Sequence, residues 1–178
     1  MQAARVAHEP TDAFSPENVI RPARLADATR ICEIYNHYVR ETVITFEEVP
    51  VEADEMAGRI RGVQALAPWL VAEEDGVIAG YAYATPWKTR SAYRFAMEST
   101  IYMAAELSGR GIGGSLYAAL IAELRSREIH CAVGGIALPN PVSIRLHERL
   151  GFREIGRFRE IGWKFGRWVD VGYWELLM

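Results

Sequence analysis

The sequence predicts one mixed α/β domain built on a central sheet, and three observations predict it. Asp75-Gly76 stands between two apolar runs, which is the chemistry of a tight antiparallel hairpin turn. A glycine-dense loop, Ser108 to Gly114, separates an apolar stretch ending near Ala104 from the helix-periodic stretch Ser115 to Leu124. The apolar run Cys131 to Leu138 then returns as a buried strand, so strand, loop, helix and strand form a parallel βαβ unit. Antiparallel and parallel pairs in one chain require a mixed sheet.

Taken in order, residues 1–18 carry Arg5, His8, Glu9, Pro10, Asp12, Pro16 and Glu17 with no apolar block. They read as a loose leader, and the domain is expected over 19–178. Val19 to Ala23 reads as a first strand. Asp27 offers an N-cap to a helix whose face carries Ile31, Ile34, Tyr35, Tyr38 and Val39. A second, weaker helix has Met56, Ile60 and Val63 as its stripe, with Gly58 and Gly62 lowering its propensity. The hairpin strands are Trp69 to Ala72 and Val77 to Ala84, and a long strand covers about residues 94–104. Asn140-Pro141 supplies a cap and first-turn proline for a short helix that Gly151 closes. Residues 152–177 alternate apolar and polar with glycines interspersed, which predicts a final hairpin.

The 178 residues, half of them apolar and with a formal charge of −3, suit a single core. No basic run tracks a phosphate backbone, so nucleic acid is not expected as a partner. No apolar stretch reaches the roughly 20 residues of a membrane span. Two cysteines, Cys32 and Cys131, lack metal-type spacing and suit a reducing compartment, so a cytoplasmic protein without a metal is expected.

The glycine loop is the first candidate site. Residues without Cβ let the main chain approach a ligand, and the helix that follows adds unpaired N–H groups and the positive end of its dipole. A phosphate group fits such a place, although a simple helix-entry turn has the same composition. Glu98 is the second candidate. Strand parity sets it opposite Met97 and Ile101, on the side of Ala96, Thr100 and Tyr102, where a carboxylate gains proton affinity and suits a general base. A solvated Glu or an ion pair with Arg94 is the alternative. His147 shares a helical face with Ser143 and Leu150, a pattern that also fits a packed or an exposed histidine.

The order of elements and these residues together resemble the GNAT N-acetyltransferase superfamily, and within it the phosphinothricin and methionine sulfoximine acetyltransferase group. The landmarks are Tyr35-Asn36-His37-Tyr38, Pro68 to Glu73, Pro86-Trp87-Lys88 with Arg90 and Tyr93, Glu98-Ser99-Thr100 with Tyr102, Arg145 to Glu148, and Gly172-Tyr173-Trp174. Gly111 and Gly113 match the superfamily's loop pattern, while Ser108 stands where Gln or Arg is usual. The resemblance implies a mostly antiparallel sheet of about seven strands, with one parallel pair splayed at the acetyl-coenzyme A site and helices on both faces. It implies Glu98 as base and His147 as the proton donor to the thiolate. For the co-substrate it implies the main chain of Ile101, Tyr102 and Met103, the loop Gly109, Arg110, Gly111, Ile112, Gly113 and Gly114, and Asn140. Lys88, Arg90, Tyr83 and Tyr93 are expected around a small amino acid, with Arg90 on its carboxylate because its planar fork pairs two oxygens. The expected reaction is direct acetylation of an α-amine by an enzyme that pairs as a homodimer and whose relatives confer herbicide resistance. Acetylation of a protein N-terminus or lysine is the enzymatic alternative, and a non-catalytic acetyl-coenzyme A-binding module the other.

Overall fold

A computed structural model describes residues 19–107 and 111–178. The expected leader, and the expected co-substrate contacts of Gly109 and Arg110, lie outside the described residues. The strands are β1 (Val19–Pro22), β2 (Trp69–Glu74), β3 (Val77–Pro86), β4 (Ala96–Met103), β5 (Cys131–Leu138), β6 (Arg153–Lys164) and β7 (Arg167–Leu177). The helices are α1 (Ala28–Glu41), α2 (Ala53–Gln64), α3 (Ile112–Ser126) and α4 (Pro141–Arg149). The sheet order is β1-β2-β3-β4-β5-β7-β6, and among the described residues β4–β5 is its one parallel pair.

Local chemistry explains the turns. Asp75 and Gly76 both adopt positive φ, 52° and 76°, which matches the right-handed twist of the β2–β3 hairpin. Alternation then sorts the core into two layers. Leu70, Ala72, Ala82 and Met97 pack with Leu116, Leu120 and Leu124 of α3, while Trp69, Val71, Tyr81 and Tyr102 pack with Ile31, Tyr35 and Ile60 of α1 and α2.

Two expectations are corrected. The glycine stretch is not all loop: α3 begins at Ile112 behind a left-handed Gly111 (φ 86°), so Gly113 and Gly114 form its first turn. The carboxylate of Asp27 does not cap α1. It accepts from the Arg21 guanidinium at 2.7 and 3.0 Å and from the Arg24 N–H at 2.7 Å, because a charged fork outcompetes a neutral first-turn amide. Arg21 also bonds Glu73, tying β1 to β2 and to the start of α1.

The guanidinium holds the Asp27 carboxyl below the usual carboxylate range. A depressed folded-state pKa gives stability that is present above the unfolded Asp range and lost as pH falls through the lower folded value. Arg21→Met is therefore expected to cost about 2 kcal/mol near neutral pH. The deficit should shrink in acid, and denaturant unfolding at two pH values checks it.

The segment between α1 and α2 is held from below and above. Asn36 exchanges hydrogen bonds with the Val51 main chain at 2.8 Å each way, and the Tyr35 hydroxyl meets Thr45 Oγ1 at 2.8 Å. Buried Lys164 donates to the Thr45 carbonyl at 2.8 Å. This pinning sets Ile44 at the mouth of the cavity described next.

Candidate active site

β4 and β5 pair only from Ala96↔Cys131 to Glu98↔Val133, then part. Each keeps its outer neighbour well beyond that point, β4 to Gly80↔Met103 and β5 to Leu138↔Asp170. The strands are thus held apart, and their inner edges face each other across a gap. Main-chain groups alternate sides along a strand, and the Ala104 N–H donates to Ala79 on the β3 side. By alternation Tyr102 gives its N–H and C=O to the β3 ladder, while Ser99, Ile101 and Met103 turn theirs to the gap. The Met103 carbonyl already accepts from the Tyr38 hydroxyl at 2.6 Å. The main-chain groups left facing the gap are the Ser99 carbonyl, both groups of Ile101 and the Met103 N–H, since the Glu98↔Val133 bridge takes the Ser99 N–H.

A cavity of about 60 Å³ occupies the split, and Glu98, Ser99, Asn140, Ser143 and His147 line it together with Ile44 and the main chain of both strands. Asn140 caps α4 by accepting from the Ser143 N–H at 3.1 Å and thereby brings that helix's first turn to the cavity. Glu98 and His147, far apart in sequence, meet at one cavity. Burial raises the Glu98 pKa, and the positive charge of Lys88 only partly offsets it. Arg94 does not pair with Glu98; its guanidinium lies 4.4 Å from the Phe95 ring centroid and donates to the Ser91 carbonyl.

On the same sheet face lies a broader cleft of about 580 Å³, walled by Trp87, Tyr93, Val133, Phe158 and Tyr173, with Arg157 and Glu175 at its polar rim. Tyr173 stands between the two spaces: a Cβ on Gly135 would sit 3.3 Å from its ring and 3.5 Å from Glu98 Oε1. Tyr93 lines the cleft, and the Arg90 guanidinium lies 5.4 Å from its ring centroid. Lys88 Nζ is 4.6 Å from the Trp87 ring centroid. Tyr83 lines neither space. It stacks on Trp69 at 4.3 Å, and the register puts it beside Thr100 on the face of Glu98. The aromatic walls Trp87, Phe158 and Tyr173 were not among the expected site residues.

At the far end of the gap, the first turn of α3 presents the N–H groups of Ile112 and Gly113, while the Gly114 N–H already donates to the Gly111 carbonyl at 3.0 Å. The Ile112 side chain is buried in the core, so only its main chain faces outward. Position 113 faces Met103, where an added Cβ would come within 3.4 Å of the side chain, and position 114 is open.

A family model described as an acetyltransferase (GNAT) domain matches residues 20–172. The chain belongs to the GNAT acetyltransferase family. It is 42% identical over 165 residues to a phosphinothricin N-acetyltransferase of Streptomyces viridochromogenes, spanning 91% of this chain and 90% of that one. It is 38% identical to an L-methionine sulfoximine/L-methionine sulfone acetyltransferase of Salmonella typhimurium, over 88% of this chain and 92% of the other. A solved structure of a phosphinothricin acetyltransferase from Sinorhizobium meliloti in complex with AcCoA matches with a TM-score of 0.87 at 36% identity, covering 91% of this chain and 89% of that one.

A GNAT acetyltransferase uses acetyl-coenzyme A, which supplies an acetyl group activated as a thioester. The residues present fit it: the first-turn N–H groups of Ile112 and Gly113 at the positive end of α3 for the diphosphate, and two strand edges that part for amides. Among the described residues no cluster of His, Cys, Asp or Glu is arranged to hold a metal ion, and no helix is long and apolar enough to cross a membrane.

Proposed function

We propose that this acetyltransferase moves the acetyl group directly to the α-amine of a small amino acid of the phosphinothricin, methionine sulfoximine or methionine sulfone type. The observation that carries the reading is the place of Glu98, at the boundary between the narrow split and the broad aromatic cleft. An amine entering from the cleft meets a desolvated carboxylate just where the split opens, which suits removal of the ammonium proton. The N–H groups of Ile112 and Gly113 would receive the diphosphate beside Gly114, whose missing side chain leaves the approach open, with Gly109 and Arg110 just before them in sequence, and the edges at Ile101 and Met103 would receive the pantetheine amides. Tyr93 lines the cleft, Arg90 lies against its ring and Lys88 against that of Trp87, and two cations beside those walls suit a carboxylate and a second polar end. His147 is assigned to return a proton to the departing sulfur.

The test is thiol release from acetyl-coenzyme A with a panel of free amino acids, the three compounds above and short peptides. Turnover with free amino acids and none with peptides is expected. Turnover with peptides alone would replace this reading with protein N-terminal or lysine acetylation, and acetyl-coenzyme A binding without turnover would leave a binding module.

The same reading includes a homodimer working in the cytoplasm and, where phosphinothricin is accepted, herbicide resistance. The edge strand β6 and its hairpin expose Ile155, Phe158, Ile161, Trp163, Phe165 and Trp168, and a second copy of the chain would cover them. Sedimentation equilibrium should give twice the chain mass; a monomer at micromolar concentration would remove the dimer.

A further inference from the structure

Behind the cavity runs a chain of hydroxyls that the reading above leaves without a task. Ser99 and His147 are each 4% exposed and Tyr117 is fully buried. Ser99 Oγ lies 2.8 Å from the Tyr117 hydroxyl, and that hydroxyl lies 3.0 Å from His147 Nε2. The chain ends on acceptors that can only accept: the Val133 carbonyl, 3.2 Å from Ser99 Oγ, and the Ser143 carbonyl, 2.8 Å from His147 Nδ1. Ser143 Oγ, at 3.4 Å from Nδ1, is too distant to compete. Position 134 must be glycine for this seat, since a Cβ there would lie 2.4 Å from Nε2.

These partners dictate where the protons are. Nδ1 faces a carbonyl, so it carries hydrogen. In neutral His147, Nε2 is then bare and accepts from Tyr117, whose oxygen accepts from Ser99. In the imidazolium Nδ1–H still donates to Ser143 while the other two bonds reverse: Nε2–H donates to Tyr117 and Tyr117 to Ser99, which frees the Ser99 hydrogen for the Val133 carbonyl. Both states satisfy the hydroxyls and the ring nitrogens, so one proton can be stored without leaving a buried group orphaned. Ser99 and His147 both line the cavity, but both ring nitrogens are taken up inside the protein, Nε2 by Tyr117 and Nδ1 by the Ser143 carbonyl.

We propose that the Ser99–Tyr117–His147 chain is a one-proton store for acyl transfer, loaded and emptied through the Ser99 hydroxyl, with Tyr117 a positioning residue. The proposal rests on the acetyltransferase reading of the cavity. Glu98 takes one proton of the substrate ammonium. As the nitrogen acylates, it passes a second to Ser99 Oγ, the Ser99 proton moves to Tyr117, and the Tyr117 proton moves to Nε2, so the nitrogen loses its positive charge and the imidazole gains one. When the carbon–sulfur bond breaks, the three hops reverse and the sulfur leaves as a thiol. Nothing is oxidised or reduced.

The test has one readout in the free protein and one in turnover. With ¹⁵N-labelled histidine, His147 should show hydrogen on Nδ1 and a bare Nε2, and Tyr117→Phe should move the Nε2 signal. In turnover, Tyr117→Phe and Ser99→Ala should lower kcat about 10- to 100-fold with KM for acetyl-coenzyme A held within about twofold. Their rate in mixed H₂O/D₂O should become linear in deuterium where wild type is curved, and Ser99→Thr should restore the curve. A hydrogen on Nε2 in the free protein, or a wild-type kcat and curve in Tyr117→Phe, overturns the proposal; if Tyr117→Phe fails to fold, the Ser99 pair decides. A wild-type protein that acetylates none of the amines sinks the proposed function alone, and the histidine spectrum then decides the chain.

Discussion

Glu98→Gln is expected to lower kcat by about 10²- to 10⁴-fold near neutral pH while leaving acetyl-coenzyme A affinity nearly unchanged. The amide keeps the shape of the side chain and removes its only basic site, and the co-substrate groups assigned above are main-chain donors on other residues. Part of the loss should return at high pH, where the amine deprotonates without help. The same substitution should stabilise the fold. Burial raises the folded-state pKa of Glu98 above its unfolded value. A group so shifted supports the native state fully below the unfolded carboxylate range, and that support is lost as pH rises through the folded pKa. At neutral pH the buried charge therefore works against folding, and Gln removes it. Thermal melts should show Glu98→Gln more stable than wild type near neutrality and level with it in acid. A variant that keeps wild-type kcat and pH profile takes the base role from Glu98, and one no more stable at any pH contradicts its desolvation.

Much of this arrangement was legible because it obeys local rules. The Asp75-Gly76 turn, the Asn140 cap and the Cys131–Leu138 strand depend on a few adjacent residues, and the face of Glu98 follows from the two-residue period of a strand. What was not legible depends on partners far away in sequence. Asp27 stands where a cap belongs, yet its carboxylate is taken by Arg21 and its neighbour Arg24. Tyr117 reads as one more core residue on the buried face of α3, since its hydroxyl meets Ser99 of β4 and His147 of α4. Parity could show which side Glu98 faces, but not that Trp87 and Tyr173, far apart in the chain, meet on a T-shaped edge at 5.8 Å to wall the cleft beside it. The Gly134-Gly135 pair was a usable signal: glycine inside a strand often marks close approach of another group, here His147 at 134 and Tyr173 with Glu98 at 135.

That signal carries the second large effect. Gly134→Ala is expected to destabilise the protein by roughly 1–3 kcal/mol and to lower kcat at least as far as Tyr117→Phe does. The new methyl group would meet His147 Nε2 at 2.4 Å and Cδ2 at 2.7 Å. The ring cannot swing aside cheaply: Nδ1 is held by the Ser143 carbonyl, Nε2 by Tyr117, and Phe152 packs edge-on at 5.1 Å. Either the ring moves and the Tyr117 bond breaks, or α4 shifts away from β5 and widens the split. Adding the same methyl at Gly58, inside α2 with no atom within 4 Å, should instead stabilise by about 0.5–1 kcal/mol, since alanine is the better helix former. The decisive comparison is a double-mutant cycle. If the penalty at position 134 is the collision with the imidazole, Gly134→Ala should cost far less stability in a His147→Ala background than in wild type. Equal costs in both backgrounds would mean that the glycine serves the β5 main chain rather than the histidine seat.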